Sequence, residues 1–354
     1  MGLRRGCGSQ LLAGFIGAAL CVGLSALDVI PAAQRSDAVQ LSSKILPLSS
    51  ATPSENRVGF LAYRGGLEIT SPDARFGGWS GLLVSADGSH LLSQSDEGHW
   101  LRARLSYAKS GNLAGIADAQ LADMHGIDGS PLKSKLEADA EGLAALTDKG
   151  PDGPVAVSFE RDARVWRYDL SGSLETPGTN IPTPDDIKTL DFNSGLEGIT
   201  RLAPNTLIAV AETPQIRGED HSAWMIPISG QKPGARIAGL SVKHHDPYEI
   251  SDAAMSPSGR SLYLLERHYF GPLRGVVVAV RRIDASTIKS GARLDGSEIA
   301  RFTMHENIDN MEGLALRRDK SGKTLLYMIS DNNYNLMLQR TVLLMFEVED
   351  DPRS

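Results

Sequence analysis

The chain has 354 residues, 41% of them hydrophobic and 6% aromatic, enough for a large core in one or two domains. Its formal charge is −7 and no basic run beyond the N-terminus exceeds two residues, which argues against nucleic acid and anionic membranes as partners. The only cysteines are Cys7 and Cys21, so once the first 26 residues are removed neither a disulfide nor a thiolate site remains.

Arg4 and Arg5 precede an apolar stretch from Leu11 to Ala26, the pattern of an export signal. The stretch is shorter than the roughly 20 apolar residues of a spanning helix. Gly23, Ser25 and Ala26 offer small residues for cleavage, and an uncleaved anchor is the alternative. Residues 1–26 are therefore read as a signal peptide, with no stable membrane insertion after cleavage and a periplasmic or secreted destination. Residues 27–56, rich in Ser, Ala and Pro, read as a linker to one domain over 57–350.

Val58 to Thr70 alternates as a strand does. Beyond it one element recurs: a polar residue opens a short apolar run, and an acid follows 14 to 19 positions later. The pairs are Ser80 with Asp96, Glu141 with Glu160, Glu197 with Glu212, Asp252 with Glu266, and Glu312 with Asp331. Hairpin turns separate the two runs at Ala86-Asp87-Gly88, Asp148-Lys149-Gly150, Ala203-Pro204-Asn205, Ser256-Pro257-Ser258-Gly259 and Asp319-Lys320-Ser321-Gly322. Third strands are visible at Val165–Tyr168, Ala223–Ile226, Val276–Ile283 and Val342–Val348. The first members of the pairs lie 61, 56, 55 and 60 residues apart, a period that specifies an all-β propeller of five blades, with a weakly marked sixth left open. The segment from Val58 can supply the last blade's outer strand and close the ring, which removes exposed sheet edges.

The start of a hairpin's first strand lies beside the end of its second. Each pair occupies those two places, so a radial arrangement gathers all five around one mouth of the channel. Asp96, Glu141, Glu160, Glu197, Glu212, Asp252, Glu266, Glu312 and Asp331 then form an acidic crown. Two like charges 4 Å apart repel by about 1 kcal/mol in water and about 4 kcal/mol at an effective dielectric near 20. Bound cations, raised pKa values or nearby arginines must offset this. Arg161 and Arg267 follow two of the acids, and oxygen-only ligands suit a hard cation, Ca²⁺ above all. The alternative is that the acids bond backbone amides and pin one blade to the next.

The stretches Gly77-Gly78-Trp79-Ser80-Gly81-Leu82, Ala140-Glu141-Gly142-Leu143, Val157-Ser158-Phe159-Glu160-Arg161, Leu196-Glu197-Gly198-Ile199, Leu264-Leu265-Glu266-Arg267, Met311-Glu312-Gly313-Leu314 and Ile329-Ser330-Asp331-Asn332-Asn333 resemble the phytase-like propeller family, described as having esterase-like activity of phytase. The resemblance spans residues 58 to 348 and implies a hydrolase acting on phosphate or carboxylic esters, with calcium in an acidic mouth. The Asp-rich strand signatures of alkaline phytases are missing, which sets phytate itself apart. On this reading Glu141, Glu197, Glu312, Arg161 and Arg267 are catalytic. Arg161, Arg267, His268 and Asn332 contact a small ester or phosphoester.

Ser80 fails the Gly-x-Ser-x-Gly elbow and has no evident base, so it reads as a replaced rim acid. His244-His245-Asp246 reads as a loop, and Gly322-Lys323-Thr324 as a hairpin rather than a phosphate loop. The competing function is a propeller that binds a ligand or partner protein without turnover.

Overall fold

Apolar runs bounded by Gly, Pro and Asp turns give five sheets of four to six strands, antiparallel apart from one two-residue parallel pairing at the outer edge of the third. The computed structural model describes residues 37–191, 194–215, 219–230, 238–271 and 273–349; the export signal read over residues 1–26 lies outside them. Each sheet is a meander that begins with an inner strand: Trp79–Val84, Ala140–Ala145, Leu196–Ala203, Glu249–Met255 and Asn310–Arg318, in blades 1 to 5. The inner strands touch one another in cyclic order, and that of blade 5 touches that of blade 1. The result is a five-bladed β-propeller. Among the described residues no helix is long and apolar enough to cross a membrane.

Closure comes from the N-terminal side. Leu61–Thr70 pairs antiparallel with Thr341–Val348, with Leu67 opposite Leu343, and so supplies blade 5 with an outer strand. The linker reading is corrected over part of its length. Ser42–Leu46 pairs with Leu61–Thr70 in blade 5, and Asp37–Val39 pairs with Leu113–Asp123 in blade 1. The open edges of those two blades offered a ladder that the Ser- and Ala-rich composition does not advertise.

Both faces of every blade are apolar, so the hydrophobic core is divided into five seams. One joins Trp100 of blade 1 to Phe159 and Tyr168 of blade 2, and the next joins Val165 to Leu207 and Trp224. Similar seams join blades 3 to 4, 4 to 5 and 5 to 1. No blade can bury its faces alone, as in other repeat architectures.

Each inner strand carries a β-bulge at the same place. Register slips by one between Trp79 and Gly81, Leu196 and Gly198, Ile250 and Asp252, and Met311 and Gly313, and beside Glu141 opposite Ser158. The extra residue is Ser80, Glu141, Glu197, Ser251 or Glu312. Bulges of this kind re-aim a side chain. The residue just past the second strand's paired partner is Asp96, Glu160, Glu212, Arg267 or Asp331.

Blade 4 therefore corrects the expected pair: its equivalents are Ser251 and Arg267, one residue off from Asp252 and Glu266. Asp252 takes the place held by Gly81, Gly142, Gly198 and Gly313 and faces the next blade. Its Oδ2 accepts the Leu314 N–H at 2.6 Å and its Oδ1 the Ala253 N–H at 2.7 Å. Glu266 turns into the sheet and pairs with Arg281, both side chains being buried. Asp252 ties blade 4 to blade 5, Glu266 holds Arg281 within blade 4, and neither is a crown member. Asp252→Ala should lower stability by roughly 1–3 kcal/mol per backbone donor left unpaired, read by urea unfolding. An unchanged midpoint would refute the latch.

Candidate functional site

The bulges and strand ends bring seven of the expected acids to one mouth: Asp96, Glu141, Glu160, Glu197, Glu212, Glu312 and Asp331. Three equivalent backbone bonds fix the geometry. The N–H groups of Asp96, Glu160 and Glu212 donate to the carbonyls of Gly78, Asp139 and Gly195 at 2.9, 2.9 and 3.0 Å. Gly78 must be glycine here: its φ is +65°, and a Cβ would fall 2.2 Å from Oδ1 of Asp96. The same alignment exposes a residue missed in the sequence. Asp139 stands where blades 1 and 3 have glycine, and its carboxylate adds an eighth acid to the crown.

Three cations compensate opposite sides. Lys135, on the one-turn helix Lys135–Ala138, places Nζ 2.5 Å from both Asp96 and Asp139. Nothing in the repeat pattern pointed to Lys135, which comes from the connection between blades 1 and 2. Arg161 donates Nε to Asp139 at 2.6 Å. On the far side Arg267 approaches Glu312 at 3.1 Å and Glu212 at 3.8 Å, and donates to Asn310 Oδ1 at 2.9 Å. Asn310 in turn donates to Glu312 at 2.7 Å. Arg267 thus occupies the position at which three other blades present a Glu or Asp and blade 1 presents Asp96.

Glu141 and Glu197 have no such direct contact, and Arg267 acts on Glu197 only at longer range. Both are buried, at 8% and 6% exposure, and among the described residues neither carboxylate has a hydrogen bond or ion pair. Burial, then the Glu197 charge, pushes Glu141 well above the usual carboxylate range; burial, then Glu212, does the same to Glu197. Glu160 is raised to about 7 by burial and by the neighbouring Asp139 carboxylate. Burial raises Glu212 to about 8 against the opposing pull of Arg267, and Asp331 to about 8 with Glu312 and Asp96 adding to it. Burial works against the charge of Arg267, but Glu312, Glu212 and Glu197 more than offset it and hold it ionised.

The uncompensated acids are also the ones close enough to share an ion. Oxygens of Asp139, Glu141 and Glu160 lie within 4.8 Å of one another, as do those of Glu160, Glu197 and Glu212. The two triads adjoin through Glu160. Buried oxygens without donors, in an all-oxygen set, fit a hard divalent cation.

The other expected contacts fall elsewhere. Asn332 is buried, and its Oδ1 accepts from Gly78 N at 3.3 Å and Tyr334 N at 3.1 Å, so it ties blade 5 to blade 1. His268 stacks edge-on against Phe270, 4.5 Å between centroids, on the hairpin beyond Arg267. Ser80 is fully buried, with Oγ 3.4 Å from its Gly78 carbonyl partner, and cannot serve as a nucleophile. Beside Arg161 a cavity of about 740 Å³ opens beneath the connection that carries Lys135, lined by Lys133, Leu136, Arg164 and Trp166.

Fold and mouth together define a five-bladed propeller with a buried acidic crown. The family profile described as "Phytase-like: Esterase-like activity of phytase" matches residues 74–334, and the chain belongs to that family. No curated protein matches the sequence. Among solved structures it is similar to a chain of "Crystal Structure of Mitotic Checkpoint Complex", at 12% identity and a TM-score of 0.38 over 97% of this chain and 100% of that one. It is also similar to "Crystal structure of Myceliophteria_thermophila Cps50 (Swd1) beta-propeller domain", at 10% identity and a TM-score of 0.37 over 86% and 99%. At those scores neither likeness bears on function.

A carboxyl whose pKa rises on folding binds more protons folded than unfolded. Its contribution is present below the unfolded value and is lost as pH rises through the folded one. In EDTA, the Tm of Glu212→Gln relative to wild type should therefore climb between about pH 5 and about pH 8. A gap that stays flat or narrows would show that Glu212 is not crowded by its neighbours.

Proposed function

We propose that this propeller hydrolyses an ester, a phosphate ester before a carboxylic one, with Ca²⁺ held by Asp139, Glu141, Glu160, Glu197 and Glu212. The observation that carries the reading is the pair of buried carboxylates, Glu141 and Glu197, that meet no donor among the described residues. Leaving such groups ionised and unpaired is costly, and a cation offsets that cost. When bound, it would supply Lewis-acid polarisation of the ester oxygen and a more acidic water.

The chain's own residues do the rest. Arg161 and Arg267 flank the uncompensated acids on opposite sides and offer guanidinium donors to anionic oxygens of the substrate. Glu312 holds Arg267 in place from the other side. The cavity beside Arg161 has room for the organic part of the ester. Family membership supports hydrolysis as the reaction class. Export to the periplasm or beyond is part of the proposal and rests on the pattern of residues 4–26.

A second reading, a propeller that binds a ligand or partner without turnover, is favoured by the latch roles of Asp252 and Asn332. Titration calorimetry with Ca²⁺ should show roughly micromolar binding. It should be lost in the Glu141→Ala/Glu197→Ala double variant and kept in Asp252→Ala. With metal present, p-nitrophenyl phosphate should be cleaved faster than p-nitrophenyl acetate. Turnover of neither ester would leave the binding reading in possession.

A further inference from the structure

The end of the channel opposite the crown is a cavity of about 560 Å³ with a different chemistry. Each blade contributes one half-buried apolar side chain to its wall: Leu83, Ala145, Leu202, Met255 and Leu316. Each follows the bulge of its inner strand by three to five residues. The strand that turns a carboxylate inward at one mouth thus lays an apolar residue at the other.

The charges on this wall are three arginines, Arg201, Arg317 and Arg318, against one acid, Asp148. Two of the arginines are engaged. Arg201 pairs with Asp148, and buried Arg317 donates Nε to the Tyr327 hydroxyl at 2.9 Å beside the Tyr107 ring. Arg318 is exposed, and among the described residues its guanidinium has no ion-pair or hydrogen-bond partner. A ringed pocket of ordinary ligand size, its lining somewhat more apolar than polar, is therefore left with one unanswered cation at its rim.

We infer that this pocket binds a small anionic amphiphile: an alkyl chain among the five apolar side chains, with a carboxylate or phosphate head on Arg318. Surplus positive charge disfavours a cationic head, and a neutral hydrocarbon leaves the guanidinium unanswered. Nothing in this site depends on hydrolysis at the crown.

Titration calorimetry below the critical micelle concentration tests it with decanoate, butyrate and decyltrimethylammonium on the full chain. Decanoate should bind, and affinity should grow by up to about fourfold per methylene between butyrate and decanoate. Decyltrimethylammonium should not bind measurably. Arg318→Glu should weaken decanoate about tenfold, and Leu202→Asp should abolish its binding. Glu197→Gln at the crown should leave it unchanged, and unaltered circular dichroism and Tm would show that each variant folds. The inference is overturned if decanoate fails to bind, if binding survives both rear variants, or if decyltrimethylammonium binds as well as decanoate. Loss of decanoate binding in Glu197→Gln would overturn it too.

Discussion

The bulge near the start of each inner strand is the constraint on which the rest of this molecule depends. A regular strand would direct these residues by simple alternation, into one inter-blade seam or the other. One extra residue breaks the alternation and turns Ser80, Glu141, Glu197, Ser251 and Glu312 out of it together. Because the blades are related by rotation, five local irregularities become one ring. The ring is narrow and buried, so charge that would be cheap in solvent becomes costly there.

How that charge is answered gives the ring its direction. Lys135 and Arg161 neutralise the side nearest blades 1 and 2 through Asp96 and Asp139. Arg267 neutralises the side nearest blades 4 and 5 through Glu312 and Glu212. Between them Glu141 and Glu197 meet no donor among the described residues, and Glu160 joins the two oxygen triads. A perfectly repeated propeller would have no such gap. The departure of blade 4, with Arg267 where its neighbours carry an acid, is what converts a symmetrical crown into a site with an inside and an outside.

The same departure separates two uses of acidic residues that look alike on paper. Asp252 and Glu266 are as buried as the crown acids, yet each has its partners: backbone amides for one, Arg281 for the other. Satisfied groups of this kind fix the packing, Asp252 across the seam to blade 5 and Glu266 within blade 4. Unsatisfied ones, at Glu141 and Glu197, are where chemistry or a ligand has something to offer. The opposite mouth repeats the lesson with the signs reversed, since among the described residues Arg318 is the one arginine of that wall left unanswered.

The all-β class, five repeats, the turns, a closing strand within Val58–Thr70 and seven of the eight crown acids were legible in the chain's pattern alone. Those features are local, written in alternation, turn residues and a period of 55 to 61 residues. Only the tertiary structure decided the rest. Asp252-Ala253 looked like Glu197-Gly198 because a one-residue shift of register leaves almost no trace in composition, whereas strand pairing counts every residue. Lys135, Asp139 and the outer strands at 37–46 were invisible because their roles depend on which distant strand or charge they meet. Proximity across blades is created by closing the ring, and no stretch of the chain carries that information alone.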